Sequence, residues 1–249
     1  MNTQSASAPE PLQLSVVIPV RNEAGNVEPM VAEIAQACAV YDRFEVVYVN
    51  DGSWDETGSA IDRLRSTRPW LRHIRHEKSC GQSAAVQTGV RAARGHIIVT
   101  LDGDGQNNPA FIPLVVTALE EGGARAGMAQ GQRRGRQDTR FKRFQSRLAN
   151  SVRGRMLKDG TRDSGCGLKC FYRDVYLALP YFDALHRFMP ALIKREGYEI
   201  VFVDVVDRSR MTGISNYGFF DRLWVGLLDL LGVWWLIRRR KNIPNTLER

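Results

Sequence analysis

Asp102-Gly103-Asp104-Gly105-Gln106 follows directly on the apolar run Ile97-Ile98-Val99-Thr100-Leu101. Two carboxylates and an amide are therefore delivered at the end of what reads as a buried strand. Hard cations such as Mg²⁺ take oxygen ligands and fill the rest of their shell with water and substrate phosphate oxygens. Asp102, Asp104 and Gln106 read as such a site, which points to a phosphate-bearing substrate. The competing reading is a plain strand-to-loop turn, since Asp and Gly populate turns for conformational reasons alone. A calcium EF-hand is excluded, because its loop needs Gly at the sixth position and Glu at the twelfth, where this chain has Asn107 and Pro113.

The elements that must hold this cluster are legible around it. Leu14 to Pro19, Phe44 to Asn50, Leu71 to His76 and Ile97 to Leu101 are short runs rich in β-branched residues, separated by segments of helical length. This is βαβα grammar, which predicts an α/β fold with a mostly parallel sheet flanked by helices. Ser53-Trp54-Asp55-Glu56 fits a capping box for the second helix, and Arg68-Pro69 marks its end. Binding sites in such sheets lie beyond the carboxyl ends of the strands. Three polar loops, Pro19 to Glu23, Asn50 to Ser53 and Asp102 to Gln106, should therefore converge on one rim. No GxGxxG opens a helix after the first strand and no GxxxxGK[ST] occurs, which excludes an ordinary dinucleotide dehydrogenase or P-loop enzyme.

With 249 residues, 43% hydrophobic and 25% charged, the chain has the makings of a folded domain rather than a disordered one. A formal charge of +8 implies an anionic partner: nucleic acid, a phosphorylated metabolite or an anionic membrane surface. Cys38, Cys80, Cys166 and Cys170 form no paired CxxC set, so free thiols in a reducing compartment are expected. Residues 1–11 are polar and lack the apolar core of a signal peptide; they read as a flexible tail.

Between Gly131 and Lys158 ten Lys and Arg stand against one Asp, with Phe141, Phe144, Leu148, Val152 and Met156 at three- and four-residue spacing. That pattern predicts an amphipathic basic helix facing an anion; the plainer alternative is a solvated charged face. From Phe219 to Ile237 the chain is strongly apolar and ends in Arg238-Arg239-Arg240-Lys241. Asp221, Arg222 and Asp229 interrupt a stretch that would need about 20 predominantly apolar residues to span a bilayer. It reads as an in-plane interfacial helix with Trp224, Trp234 and Trp235 at headgroup depth. A core or subunit-interface helix is the alternative.

Taken in order, the segments IPVRNE (Ile18 to Glu23), VNDGSWDET (Val49 to Thr57), GQSAAVQTG (Gly81 to Gly89) and DGDGQNNP (Asp102 to Pro109) resemble the motifs of inverting family 2 glycosyltransferases with the GT-A fold. The likeness is nearest to the polyprenyl-phosphate branch, the dolichol-phosphate-mannose synthase-like enzymes, and runs from about Leu14 to Tyr217. It implies a GT-A domain over 12–217, preceded by the tail of 1–11 and followed by a membrane-associating helix and basic tail over 218–249. In that family a nucleoside diphosphate sugar is the donor and a membrane lipid phosphate the acceptor.

The resemblance implies that Pro19, Arg21, Glu23, Asn50, Asp51, Ser53 and Gly81 surround the nucleotide. It makes Asp102, Asp104 and Gln106, with Gly103 between the carboxylates, the site for Mg²⁺ or Mn²⁺ and the diphosphate. Arg133, Arg136 and Asp138 resemble the family's basic segment, Asp163 to Gly167 its acceptor-side loop, and Arg208, Arg210, Gly213 and Ser215 its late RxxGxS element. Asn50 stands where many relatives carry Asp, which shifts weight to Asp51. Ser79 replaces a frequent Asn and Asn216 a frequent Lys.

The expected reaction is in-line displacement at the anomeric carbon with inversion. Arg133 and Arg136 would stabilise charge at the donor or lipid phosphate, and Arg208 and Arg210 would close the site. Asp163 would orient the acceptor or hold an arginine. A lipid phosphate is already ionised and needs no dedicated base, whereas a departing nucleoside diphosphate needs cations in place beforehand. The expected setting is the cytoplasmic face of the membrane, peripheral or monotopic, with a homo-oligomer possible and no nucleic-acid partner. Two competitors stand beside this: a transferase using a soluble hydroxyl acceptor with Asp163 as base, and a basic nucleic-acid-binding protein.

Overall fold

The computed structural model describes residues 12–134, 152–208 and 219–240. The chain runs β1 (Leu14–Val20), α1 (Ala24–Ala37), β2 (Phe44–Asn50), α2 (Thr57–Arg65), β3 (Leu71–Arg75), α3 (Gln82–Ala92), β4 (Ile97–Thr100), α4 (Ile112–Glu121) and β5 (Ala126–Arg133). It continues through β6 (Lys169–Tyr172), α5 (Arg173–Leu177), α6 (Leu185–Arg195), β7 (Glu199–Val205) and α7 (Phe219–Arg239). The strands form one sheet in the order β3-β2-β1-β4-β6-β5-β7. All pairings are parallel except those of β6, which runs antiparallel between β4 and β5. The four strands read from the sequence are present, each within a residue or so of its expected end.

Alternation along β1 divides the core between the two faces of the sheet. Leu14, Val16 and Ile18 pack in one cluster with Val31 and Ile34 of α1 and Val115 and Leu119 of α4. Val17 faces the other way, with Val47 and Val49 of β2, Val86 and Val90 of α3, and Leu192 and Ile193 of α6. A strand buried on both faces needs no polar alternation, which is why LSVVIPV reads as a continuous apolar run. Each such side chain contributes about 1.5–3 kcal/mol on burial.

Two local expectations are corrected. Ser53 does not cap α2: its hydroxyl accepts the Asn22 N–H at 3.0 Å and so ties the first rim loop to the second. The orphan amide of Thr57 is met by Asp55 Oδ1 at 3.0 Å instead. The expected basic helix from Gly131 also begins differently, because Gly131, Gln132 and Arg133 belong to β5. Residues 152–157 are helical, and residues 135–151 lie outside the described part.

The C-terminal helix α7 packs on α6. Leu230 and Val233 are buried in the second core cluster, with Trp234, Leu236 and Ile237 against it. Arg195 Nε donates to the Leu236 carbonyl at 3.1 Å, and Arg240 donates to the carbonyls of Arg195 and Glu196. Among the described residues no helix is long and apolar enough to cross a membrane.

Candidate active site

Parallel pairing of β1 with β2 and β4 puts the three rim loops side by side at the carboxyl end of the sheet. Asp51, immediately after β2, is buried and its carboxylate is fully engaged. Oδ1 meets His76 Nδ1 at 2.7 Å and the Cys80 N–H at 2.8 Å; Oδ2 accepts from Ser79 Oγ at 2.7 Å and the Gly81 N–H at 2.9 Å. Burial alone would raise this carboxyl, but the four donors, led by the Cys80 amide, outweigh it and hold it below the usual carboxylate range. Ser79, one of the departures from the family pattern, is thus one of the groups that orient Asp51.

Asn50 is buried, and its Oδ1 accepts the Ser53 N–H at 2.9 Å, fixing the loop. Pro19 lines the cleft. Arg21 lies exposed on the rim. Glu23 Oε2 accepts from Asn26 Nδ2 at 2.6 Å, and its backbone N–H donates to Thr57 Oγ1 at 2.8 Å.

The Asp102–Gln106 loop is held from within. Asn107 Oδ1 accepts the Asp102 N–H at 3.0 Å, Asp104 Oδ1 accepts the Gln106 N–H at 3.1 Å, and Gln82 Nε2 donates to Asp102 Oδ1 at 2.8 Å. Burial pushes the Asp102 carboxyl up to about 6; Lys169 and Arg133 pull it down, while Asp104 and Asp207 push it further up. Asp163 and Asp207 flank the same region through Arg133. The oxygens of Asp102, Asp104 and Gln106 are of the type that could hold Mg²⁺ or Mn²⁺.

Gly167 makes this packing possible. A Cβ there would lie 2.3 Å from Asp102 Cγ and 2.4 Å from Asn107 Oδ1. Gly167→Ala is therefore expected to displace Asp102 and lower kcat/KM roughly 10²-fold, the cost typical of a 1 Å misplacement. An unchanged unfolding midpoint with a weakened Mn²⁺ titration would locate the effect in the loop; unchanged kcat/KM would refute it.

The expected arginines separate. Arg133 forks onto Asp163, with its Nη2 2.8 Å from Oδ1, and its Nη1 reaches Asp207 at 3.3 Å. Asp163 is thus paired with an arginine. Arg208 donates its backbone N–H to the Gln106 carbonyl at 2.9 Å, but its guanidinium forks onto Glu33 of α1 at 2.9 and 2.6 Å. Arg208 thereby ties the backbone of the Asp102–Gln106 loop to α1. Arg136, Arg210 and Asp138 lie outside the described residues.

Two contributors, Lys169 and Asp207, were not singled out from sequence, and a third, His186 in HRFMP, reads there as structural. Lys169 is 4% exposed on the cleft floor, donates to the Cys166 carbonyl, and is pushed down by burial against the field of Asp102. His186 lines the same cleft, pairs with Ser83 Oγ at 2.6 Å and is pushed down to about 3 by burial, so it is neutral. Asp207 joins Asn107 at 3.3 Å to Arg133. A lysine inside the apolar run GLKCF was the one visible signal, since a buried charge in a strand demands partners.

Comparison with known proteins agrees with this arrangement. Residues 15–179 match the glycosyl transferase family 2 profile. The chain is 34% identical over 232 residues to the dodecaprenyl-phosphate galacturonate synthase of Rhizobium johnstonii, covering 91% of this chain and 68% of that protein. It is 31% identical over 220 residues to the undecaprenyl-phosphate 4-deoxy-4-formamido-L-arabinose transferase of Shewanella sediminis, covering 88% and 65%. The chain thus spans about two thirds of the length of these relatives. A mannosyltransferase from Pyrobaculum calidifontis, solved with GDP-Man and Mn²⁺, superposes with a TM-score of 0.66 at 22% identity over 93% of this chain and 66% of that one. Glucosyl-3-phosphoglycerate synthase from Mycobacterium tuberculosis, solved with Mn²⁺, UDP and phosphoglyceric acid, gives 0.66 at 18% identity over 93% and 80%. At these identities the two structures establish the shared fold.

Proposed function

Since the chain belongs to glycosyl transferase family 2, we propose that it transfers a sugar from a nucleoside diphosphate sugar, UDP- or GDP-linked, to a polyprenyl phosphate at the membrane surface. The observation that carries this reading is the pairing of two preformed subsites on one rim. Asp51 is locked by four donors at the ends of β2 and β3, and Asp102 and Asp104 stand in a carboxylate-rich pocket at the end of β4. The first suits the nucleoside and the second the metal-bound diphosphate.

Mg²⁺ or Mn²⁺ held by Asp102, Asp104 and Gln106 would supply charge for the departing diphosphate. The chain's own residues do the rest. Gln82 and Asn107 fix the Asp102 side chain and backbone, and Gly167 leaves room for them. Arg133 and Lys169 keep the pocket from being overwhelmingly negative. Arg136 is our candidate for meeting the donor or lipid phosphate, and Arg210 for closing the site.

Asp163, forked by Arg133, is poorly placed to take a proton from an acceptor hydroxyl. An acceptor that arrives already ionised needs no such base, which favours a phosphate over a soluble sugar or protein hydroxyl.

The outer face of α7 fits an acceptor whose chain stays in the bilayer. Leu227, Leu228, Leu231 and Trp235 are 44%, 66%, 46% and 55% exposed. Their spacing sets them along one side of the helix. Arg238 and Arg239 sit over the Trp234 and Trp235 rings at 4.1 and 5.8 Å. Apolar contact flanked by cations is the pattern of a helix lying on anionic lipid. A domain order of tail, catalytic domain over 12–217 and membrane-facing helix over 218–249, on the cytoplasmic face, follows from the same reading.

The test is a panel of UDP- and GDP-sugars with polyprenyl phosphate in anionic vesicles and Mg²⁺ or Mn²⁺, scored by the mass of the lipid product. One donor should yield a glycosyl phospholipid and release its nucleoside diphosphate. Transfer only to soluble hydroxyls, or to nothing, sinks the proposal.

A further inference from the structure

A second group of metal-ligating atoms lies apart from the Asp102–Gln106 loop. One atom each of Asp51, His76 and Cys80 lie within 4.8 Å of one another. We propose that this triad binds a thiophilic divalent cation of the Zn²⁺ class, and that its occupancy blocks the nucleoside side of the cleft. The binding half stands on the side chains themselves. The blocking half rests on the role proposed above for Asp51.

The donor types make the case first. One carboxylate, one imidazole and one thiolate with a fourth position open is a zinc-type set. Its sulfur and nitrogen select against Mg²⁺, which prefers oxygen. Access is asymmetric in the required sense, since Cys80 is exposed while the other three cysteines are buried.

The hydrogen bonding makes it second. His76 Nδ1 is 2.7 Å from Asp51 Oδ1, and Nε2 is 2.9 Å from Thr88 Oγ1 on α3. Without metal, the contact to the carboxylate needs a proton on Nδ1, and a neutral ring then accepts from the Thr88 hydroxyl at Nε2. A cation takes the place of that Nδ1 proton. The proton moves to Nε2, and the Thr88 hydroxyl turns from donor to acceptor at the same position. A metal-bound histidine is ordinarily oriented by such an acceptor on its other nitrogen.

Asp51 stays anchored meanwhile through Oδ2, held by Ser79 Oγ and the Gly81 N–H. Binding M²⁺ releases one proton, that of the Cys80 thiol, to solvent; no electrons move. Cys80 is carried on the same backbone whose N–H donates to Asp51 at 2.8 Å, so the thiol is tied to the carboxylate it would share a cation with.

The experiment uses the full chain and Co²⁺ as probe. Thiolate-to-cobalt charge-transfer absorption is expected on titration, bleached by Zn²⁺, because the oxygen site at Asp102 and Asp104 cannot produce it. Cys80→Ser should abolish the band. Thr88→Val should keep it but weaken the affinity about 10–100-fold, the usual cost of a lost outer-shell partner. No band, or an undiminished band in Cys80→Ser, overturns the site.

Calorimetry with UDP and GDP then tests the consequence. Zn²⁺ at saturating concentration should weaken nucleotide binding by about tenfold or more in the natural chain and not in Cys80→Ser. A cobalt band without that loss overturns the blocking role. Failure of every donor in the transfer panel would remove the glycosyl-transfer reading while leaving the cobalt result to stand or fall alone.

Discussion

Asp104→Asn is expected to lower turnover roughly 10²–10³-fold, equivalent to about 3–4 kcal/mol of transition-state stabilisation. Asparagine keeps the volume and the oxygen that accepts the Gln106 N–H at 3.1 Å, so the loop should hold its shape. What it loses is the negative charge that retains a divalent cation beside a leaving group whose own charge is growing. The substitution should therefore weaken Mn²⁺ binding and metal-dependent nucleotide binding in parallel, and leave metal-free nucleotide binding and the unfolding midpoint in place. Steady-state transfer kinetics with a Mn²⁺ titration separate these outcomes. Undiminished turnover would show that the carboxylate serves only the turn.

The contrast between Asp104 and Asp102 shows what sequence can and cannot supply. Both were legible as candidate ligands from their place after a β-branched run, because a parallel strand has to end in a polar loop on the binding rim. Their different environments were not. Asp102 is raised by burial and framed by Gln82, Asn107 and Gly167, which come from three separate segments. Contacts of that kind depend on how β6 inserts antiparallel between β4 and β5, and β6 has only four residues, Lys169–Tyr172, one of them charged. Such a short strand with a buried lysine carries almost no periodic signal.

The nucleoside side shows the same division. Asp51 stood out from the NDGS loop, but its partners His76, Ser79, Cys80 and Gly81 gather only because β3 pairs beside β2. Ser53 illustrates the reverse error. Local sequence made it a helix cap, whereas tertiary packing gave its hydroxyl to Asn22 in the neighbouring loop. A side chain with one acceptor to offer goes to the backbone amide that folding leaves without another partner.

Arg133→Ala is expected to destabilise the fold by about 3 kcal/mol or more, the scale for removing one member of a desolvated ion pair. Arg133 bridges Asp163 and Asp207, and the three side chains are only 14–17% exposed. Deleting the guanidinium would remove the fork from Asp163 and the contact to Asp207, both largely desolvated. Arg133→Lys should recover little, since an ammonium cannot fork onto Asp163 while also reaching Asp207. Urea unfolding of the two variants, with transfer assays beside it, distinguishes a strut from a phosphate ligand. If Arg133 acted chiefly on a substrate phosphate, Arg133→Ala would keep its unfolding free energy and lose only activity. We expect both to fall together, because Arg133 holds the Asp163 and Asp207 carboxylates in place.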